Sequence, residues 1–353
     1  MKQIRLGLVG CGQMMDTHAR CVNASSTKLD ITACCDVKLE NAQRVADALG
    51  TGDTYVTTDW KTMVDYVDAV LIALPHDLHY ECGVFFARHK KHILMEKPLC
   101  NTEEECLSLM EICKEEGVVL MCAYPLRYED PIVKLKELVD SGKYGRVMQM
   151  SIWTEQLTRL EEGSWGSSAR LGGGQLFSHG CHYVDVLLWF LGDPIGASHF
   201  GTKIGTPWMM REGTSALIMK FKNGAIGYHG ATWGARGTRL GYDFQIQMEK
   251  GMLEYDGRAK QIKFYNGEKD HIPGQDTTII TQDYEVIESY EGGKMTQNEI
   301  LHFIECVETG KRPLTDGYAT LQGLRVIWKT YDAEKNNQFA DLRGLGLDEG
   351  REE

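Results

Sequence analysis

Nowhere in the 353 residues is there a run of about 18 apolar side chains, so no segment reads as a membrane span. The chain passes from Met1-Lys2-Gln3 straight into the strand-like Ile4-Arg5-Leu6-Gly7-Leu8-Val9. No signal peptide is read there, and a cytoplasmic location is expected. Positive charge is also scarce: 38 Lys and Arg against 50 Asp and Glu leave a net −12. Such a field repels phosphate backbones and anionic lipid, which argues against nucleic acid and membrane partners. No pair of C-x-x-C units stands at zinc-finger spacing, and no internal repeat or low-complexity linker is visible. The eleven cysteines fall mostly inside apolar periodic segments such as Cys34-Cys35 and Cys113, where thiols behave as small hydrophobes and are expected to be reduced. The charged tail Asp348 to Glu353 is expected to fray.

What is present is a rhythm. Apolar strands and helical patterns alternate through Ile4 to Val9, Met14 to Asn23, Leu29 to Cys35 and Leu39 to Leu49. The alternation continues through Ala69 to Leu74, His79 to His89, His92 to Met95, Thr102 to Glu116 and Val118 to Cys122. That pattern predicts a parallel sheet wound by right-handed crossovers. After Pro131 the pattern turns β-rich, with strands such as Val147 to Thr154, Ser215 to Lys220, Ala225 to Gly230 and Phe244 to Glu249, and turns such as Lys222-Asn223-Gly224. Helices are predicted from about Thr296 to Thr309 and from Gly317 to Lys335, the second opening at Thr315-Asp316. The fold class is therefore an α/β Rossmann domain over 1–123, followed over 124–353 by an α+β domain with an open-faced, mostly antiparallel sheet.

Three motifs in the first domain carry chemistry. Gly10-Cys11-Gly12-Gln13-Met14-Met15 directly follows the first strand, where two glycines allow a tight turn and bring backbone N–H groups to a pyrophosphate at a helix N-terminus. Met15 stands where a third small residue is usual. Asp36 ends the next strand and can accept both ribose hydroxyls while repelling a 2′-phosphate, so the cofactor expected is NAD. A solvated strand-end aspartate is the bland alternative. Ala73-Leu74-Pro75-His76-Asp77-Leu78-His79 lies at the carboxyl edge of the sheet, where ligands bind, and supplies Leu74, Pro75 and His79 as cofactor contacts. For His79 alone, a structural role at a helix start is the commoner alternative. Met95-Glu96-Lys97-Pro98 ends another strand, placing Glu96 and an ammonium beside the expected nicotinamide.

Taken together, the G-x-G, Asp36, the P-x-x-x-H and Glu96-Lys97-Pro98 resemble the glucose-fructose oxidoreductase, inositol dehydrogenase and MocA family. The resemblance extends over nearly the whole chain, through Tyr124 to Tyr128, Gly142 to Val147, and Gly172-Gly173-Gly174 to Asp185. It implies a Rossmann domain followed by an open-faced sheet domain. It also implies that Lys97 contacts the reacting hydroxyl and that His182 gives or takes the proton. Where the family usually carries an acid four residues before that histidine, this chain has Ser178, followed by His179.

Removing hydride from a secondary alcohol leaves a developing carbonyl whose proton needs a nearby base. Lys97 and His182, converging from separate domains, are the candidate catalytic pair, with His182 reached through a flexible Leu171-Gly172-Gly173-Gly174 segment. Tyr124, Arg127, Trp165, Arg170, His179 and Asp185 are candidate substrate contacts. Ordinary packing is the alternative for Trp165, and solvation for Asp185. His179 and His182, at i and i+3, would suit a metal but lack an identifiable third ligand, so no metal is expected. The leading expectation is an NAD-dependent oxidoreductase acting on a secondary hydroxyl of a sugar, sugar derivative or cyclitol. A carbohydrate is its small-molecule partner, and a homo-oligomer is expected by analogy. Two other classes compete: a glycoside hydrolase working by transient ring oxidation with bound NAD, and a catalytically silent sensor. Net NADH formation, aglycone release, or neither would discriminate them.

Overall fold

The computed structural model describes residues 3–24, 29–49, 52–267, 283–291 and 295–347; the charged tail from Asp348 lies outside them. The predicted alternation forms β1 (Arg5–Val9), α1 (Gln13–Ala24), β2 (Asp30–Cys35), α2 (Leu39–Leu49), β3 (Tyr55–Thr57), β4 (Ala69–Ile72), α3 (His79–Arg88), β5 (His92–Glu96), α4 (Glu103–Glu116) and β6 (Leu120–Ala123). The six strands pair in parallel in the order β3-β2-β1-β4-β5-β6. All four residues of β4 and all four of β6 are buried, as expected of parallel strands covered on both faces. Helix α4 starts cleanly because Thr102 and Glu105 form a reciprocal capping box. It stops at Gly117, whose φ of 68° is a left-handed cap. The strand order reverses between β1 and β4, so a crevice opens beyond their carboxyl ends.

The chain continues as α5 (Asp130–Asp140), β7 (Val147–Glu155), α6 (Cys181–Leu191), β8 (Pro194–Thr202), β9 (Thr214–Phe221), β10 (Ile226–Thr232), β11 (Tyr242–Met248), β12 (Gly251–Asp256), β13 (Gln261–Asn266) and β14 (Glu285–Ser289), then α7 (Gln297–Thr309), α8 (Gly317–Lys335) and β15 (Ala340–Asp341). Nine strands form one sheet in the order β14-β13-β12-β11-β7-β10-β9-β8-β15. Its pairings are antiparallel except β7 with β10. Alternate residues of β9 are buried, the period-two pattern of a sheet packed on one side. Helices α5 and α6 supply the packing, α5 on β12 and β13, α6 on β7 and β10. Ten of the eleven residues of α6 are buried, so this helix runs through the core of its layer.

Two compact units divide the chain. The first takes residues up to Glu129, then Arg170–Gly172, and the segment that ends at Leu321; the second takes the remainder. Helix α7 belongs to the first unit although it lies far along the chain. Ile300 and Phe303 join a core of Leu6, Leu8, Met15, Ile31, Leu71 and Leu94. Tyr128 and Cys122 bond Thr315 just beyond it, the Tyr128 hydroxyl lying 3.0 Å from Thr315 Oγ1 and Thr315 Oγ1 donating to the Cys122 carbonyl at 2.7 Å. Phe303→Ala should therefore destabilise the nucleotide-fold unit by about 3–5 kcal/mol, read as a lower urea midpoint.

Candidate active site

The first functional corner lies at the carboxyl edge of the parallel sheet. Gly10 turns out of β1 with φ of 87°, and a side chain there would overlap the Ala73 carbonyl oxygen. Its N–H donates to the Cys35 carbonyl at 2.8 Å. The next N–H, of Cys11, donates to Asp36 Oδ2 at 2.8 Å. The other carboxylate oxygen of Asp36 accepts from the Lys38 N–H at 2.9 Å and the Asn41 amide at 3.2 Å. Gly12 is different in kind: a Cβ there would meet nothing within 4 Å. The start of α1 at Gln13-Met14 is thus left uncovered, and a dinucleotide pyrophosphate fits that bare helix end. Met15, in the place of the usual third small residue, is fully buried in the core and leaves that end clear.

Beyond β4, Leu74 and Pro75 lead into His79. Both His79 ring nitrogens face backbone carbonyls, Nδ1 toward Pro98 at 2.8 Å and Nε2 toward Leu74 at 2.9 Å. A neutral imidazole can donate from only one nitrogen. The two carbonyls favour the cation, yet complete burial outweighs them and lowers the basicity of the ring. His79 therefore straps together the loops that follow β4 and β5. His76 is held well below its usual range by burial first, with His79 and Lys97 adding repulsion, and its Nδ1 lies 2.9 Å from the Leu171 carbonyl.

Sequence reasoning missed His18. This α1 residue is buried against Glu96 at the end of β5, with Nε2 2.8 Å from Oε1. Glu96 Oε2 accepts the Lys97 N–H at 3.1 Å. The pair links the cofactor helix to the strand end that presents Lys97. A lone histidine within a helical pattern gives no hint of its partner 78 positions on.

Of the remaining candidates in this unit, Tyr124 is fully buried and Arg127 nearly so, its guanidinium donating to the Leu314 carbonyl at 3.2 Å. Arg170 Nε donates to Asp77 Oδ2 at 2.8 Å, while its carbonyl accepts from the Asn101 amide at 3.2 Å.

The second corner is carried by α6 and the turn before it. A π-helical turn, Leu176–Gly180, precedes α6 and places His179 and His182 with ring centroids 5.9 Å apart. Such wide turns insert a residue and re-aim the side chains that follow. His179 is ringed by aromatics, with Tyr183, Tyr242 and Trp233 centroids at 5.4, 6.0 and 6.2 Å. The Gln175 amide nitrogen lies 3.5 Å from His179 Nδ1. Asp185 is buried one turn further on, whereas Trp165 stands exposed on its own short 3-10 turn. At Gly174 the Glu212 carboxylate fills the space a side chain would take, which only glycine leaves open. Among the described residues, no group of three or more His, Cys, Asp and Glu is arranged to hold a metal ion. All eleven cysteines are free thiols.

His229 on β10, also missed, stacks on Tyr183 at 4.8 Å and bonds Thr154 Oγ1 through Nε2 at 3.0 Å.

A two-unit oxidoreductase is what this nucleotide fold and mixed sheet define. Residues 4–124 match the model described as the oxidoreductase family with an NAD-binding Rossmann fold, and residues 132–254 match the GFO/IDH/MocA C-terminal domain. The chain belongs to the Gfo/Idh/MocA family. Among curated relatives, D-xylose 1-dehydrogenase (NADP(+)) 2 of Haloferax volcanii is 26% identical over 303 residues, covering 85% of this chain and 88% of that protein. The 2,7-anhydro-N-acetylneuraminate hydratase of Escherichia coli is 25% identical over 278 residues, covering 73% and 72%. A levoglucosan dehydrogenase solved with NADH and L-sorbose has a TM-score of 0.83 at 20% identity, covering 97% of this chain and 99% of that one. No helix among the described residues is long and apolar enough to cross a membrane.

Burial pushes His229 down to about 3, with His199 adding repulsion. In the unfolded chain the same ring takes its proton near 6.5. Between those values the unfolded state binds more protons, so stability should fall as pH drops from about 6.5 toward 3. His76 and His79, also lowered, act in the same direction. Urea titrations from pH 7 to pH 4 should show His229→Gln flattening this slope by up to about 1.4 kcal/mol per pH unit.

Proposed function

We propose that this protein is an NAD-dependent dehydrogenase acting on a secondary hydroxyl of a sugar, sugar derivative or cyclitol. The observation that carries the reading is the seating of Lys97 at the end of β5, its N–H held on Glu96 and Glu96 held on His18, at the edge where the bare end of α1 offers its N–H groups. Gly10, Gly12, Gln13 and Met14 would hold the pyrophosphate, and Asp36 the adenosine ribose. Leu74, Pro75, His79 and Glu96 would line the nicotinamide side. When bound, the nicotinamide supplies the hydride acceptor.

The chain's own groups manage the proton and the oxygen. The Lys97 side chain donates a hydrogen bond to the substrate oxygen and stabilises negative charge there. His182 takes the hydroxyl proton as general base. Tyr124, Arg127, Trp165, Arg170 and Asp185 form the candidate set for holding the rest of the substrate. Lys97→Ala and His182→Ala should each lower kcat by about 10²–10⁴-fold. The measurement is NADH absorbance with the purified protein on a panel of free sugars and cyclitols, and unimpaired turnover in either variant removes that residue from the mechanism.

A specific feature favours a second reading. His179 adds another imidazole beside His182, bonded by Gln175, which suits a redox-neutral glycoside cleavage that needs an additional acid or base. Including chromogenic glycosides in the same panel distinguishes the two: aglycone release without net NADH favours cleavage. A protein that binds NAD yet gives neither product would be a sensor.

The charge of Asp36 selects NAD over NADP in this reading. Asp36→Ser should narrow the ratio of kcat/KM for NAD to that for NADP by about tenfold or more, corresponding to about 1.4 kcal/mol of lost repulsion. An unchanged ratio would place cofactor choice elsewhere.

A further inference from the structure

The segment that carries His179 and His182 begins in an unusual way. Gly174 opens it, because its carbonyl accepts the first helical bond from the Ser178 N–H at 2.9 Å. A helix leaves its first four N–H groups without intrahelical partners. Here the four belong to Gly174, Gln175, Leu176 and Phe177, and two residues from distant parts of the second unit take all of them. The Tyr331 hydroxyl accepts from the Gly174 and Phe177 N–H groups, each at 3.2 Å. Glu212 accepts the Gln175 N–H on its backbone carbonyl at 2.8 Å and the Leu176 N–H on Oε1 at 3.2 Å. The two caps are joined, since the Tyr331 hydroxyl donates to Glu212 Oε1 at 2.5 Å. Both side chains are buried, and Tyr331 is fixed from its ring side by the Arg211 guanidinium, 4.3 Å from the ring centroid.

We propose that Glu212 and Tyr331 are positioning residues for His179 and His182, setting where these imidazoles stand by clamping the start of the π-helical turn that bears His179 and leads directly into the first turn of α6, which bears His182. The proposal rests on the dehydrogenase reading for its effect on rate, and on the hydrogen bonds alone for its effect on structure. A π turn carries one residue more per turn than the helix that follows. Its side chains keep their direction only if the first turn is held. Gln175, whose N–H is capped by Glu212, also reaches His179 Nδ1 through its amide, so the clamp is one residue removed from an imidazole. Neither Glu212 nor Tyr331 need touch substrate or cofactor for this role.

Two paired measurements test it. Tyr331→Phe deletes the hydroxyl that serves three of the bonds, and Glu212→Ala deletes the carboxylate. Glu212→Gln keeps a side-chain carbonyl that can accept from Leu176 and Tyr331 and serves as the conservative rescue. Amide hydrogen exchange should quicken in residues 174–178 in Tyr331→Phe and Glu212→Ala while exchange in the parallel sheet stays as in the wild type. On the carbohydrate turned over by the wild type, both should lose about 10- to 100-fold in kcat, with KM for NAD changed by less than about twofold. Glu212→Gln should retain most of the rate and all of the local protection. Wild-type kcat in Tyr331→Phe, or unchanged exchange at 174–178, overturns the proposal. If the wild type turns over no member of the panel, the dehydrogenase reading falls, and the exchange data decide the clamp by themselves. A variant that fails to fold is replaced by the other in the same comparison.

Discussion

The N–H groups that a helix cannot bond internally are the constraint from which both functional corners follow. At α1 the chain leaves them uncovered: Cys11 gives its N–H to Asp36, and Gly12 contributes no side chain to shield the turn beyond it. Partial positive charge is thereby kept at the surface, where an anion can use it. At the start of the segment leading to α6 the chain does the reverse, covering every such group with Glu212 and Tyr331. A carboxylate there complements the same helix dipole from within the protein. One end is built to receive a ligand and the other to stay fixed, and the two glycines mark the difference. Gly12 faces open space, whereas Gly174 faces a buried carboxylate.

Leaving a buried polar group without its partner is costly, and one such buried pair lies beside Lys97. The His18–Glu96 pair is almost wholly out of water. Leaving one partner of such a buried hydrogen bond unsatisfied typically costs about 1–3 kcal/mol. By contrast, Arg88 with Glu115 and Lys61 with Glu81 are exposed pairs, which typically contribute about 0–1 kcal/mol. The backbone at Lys97 is thus tied on one side to the buried His18–Glu96 pair, and on its other side it is held by the Pro98 carbonyl on His79.

Much of this was legible in the sequence, and the reason is locality. A parallel strand followed by a glycine turn and a helix announces itself within about thirty residues, so the G-x-G, Asp36 and Glu96-Lys97-Pro98 could be put at one sheet edge before any coordinates. The helix over Gly317–Lys335 was equally plain from its cap and periodicity. Long-range partners were not. His18 with Glu96, Glu212 with Tyr331, and His229 with Thr154 join residues separated by 78, 119 and 75 positions, and no pattern in the chain marks them. The place of α7 was hidden for the same reason: its periodicity predicts a helix, but only Ile300 and Phe303 meeting Leu6 and Leu94 show which core it completes. The glycine run reads as flexible in sequence, and sequence cannot show what the fold adds, that a side chain at Gly174 would meet the Glu212 carboxylate.

Cofactor choice shows how local reading and structure combine. Asp36 was chosen as an acceptor for ribose hydroxyls, yet in the fold it also holds the Cys11, Lys38 and Asn41 donors. Its charge is therefore partly spent on bracing the glycine turn. Arg44 stands in the same corner, donating to the Cys11 carbonyl at 3.0 Å and pairing with Asp16. Both members of that ion pair are substantially exposed, so the pairing is weak and Arg44 could be drawn toward a 2′-phosphate at little cost. A corner with one anchored carboxylate and one loosely held guanidinium does not exclude NADP by shape. The carboxylate of Asp36 is tied to that corner by the Cys11 N–H, so it cannot move aside without releasing the glycine turn.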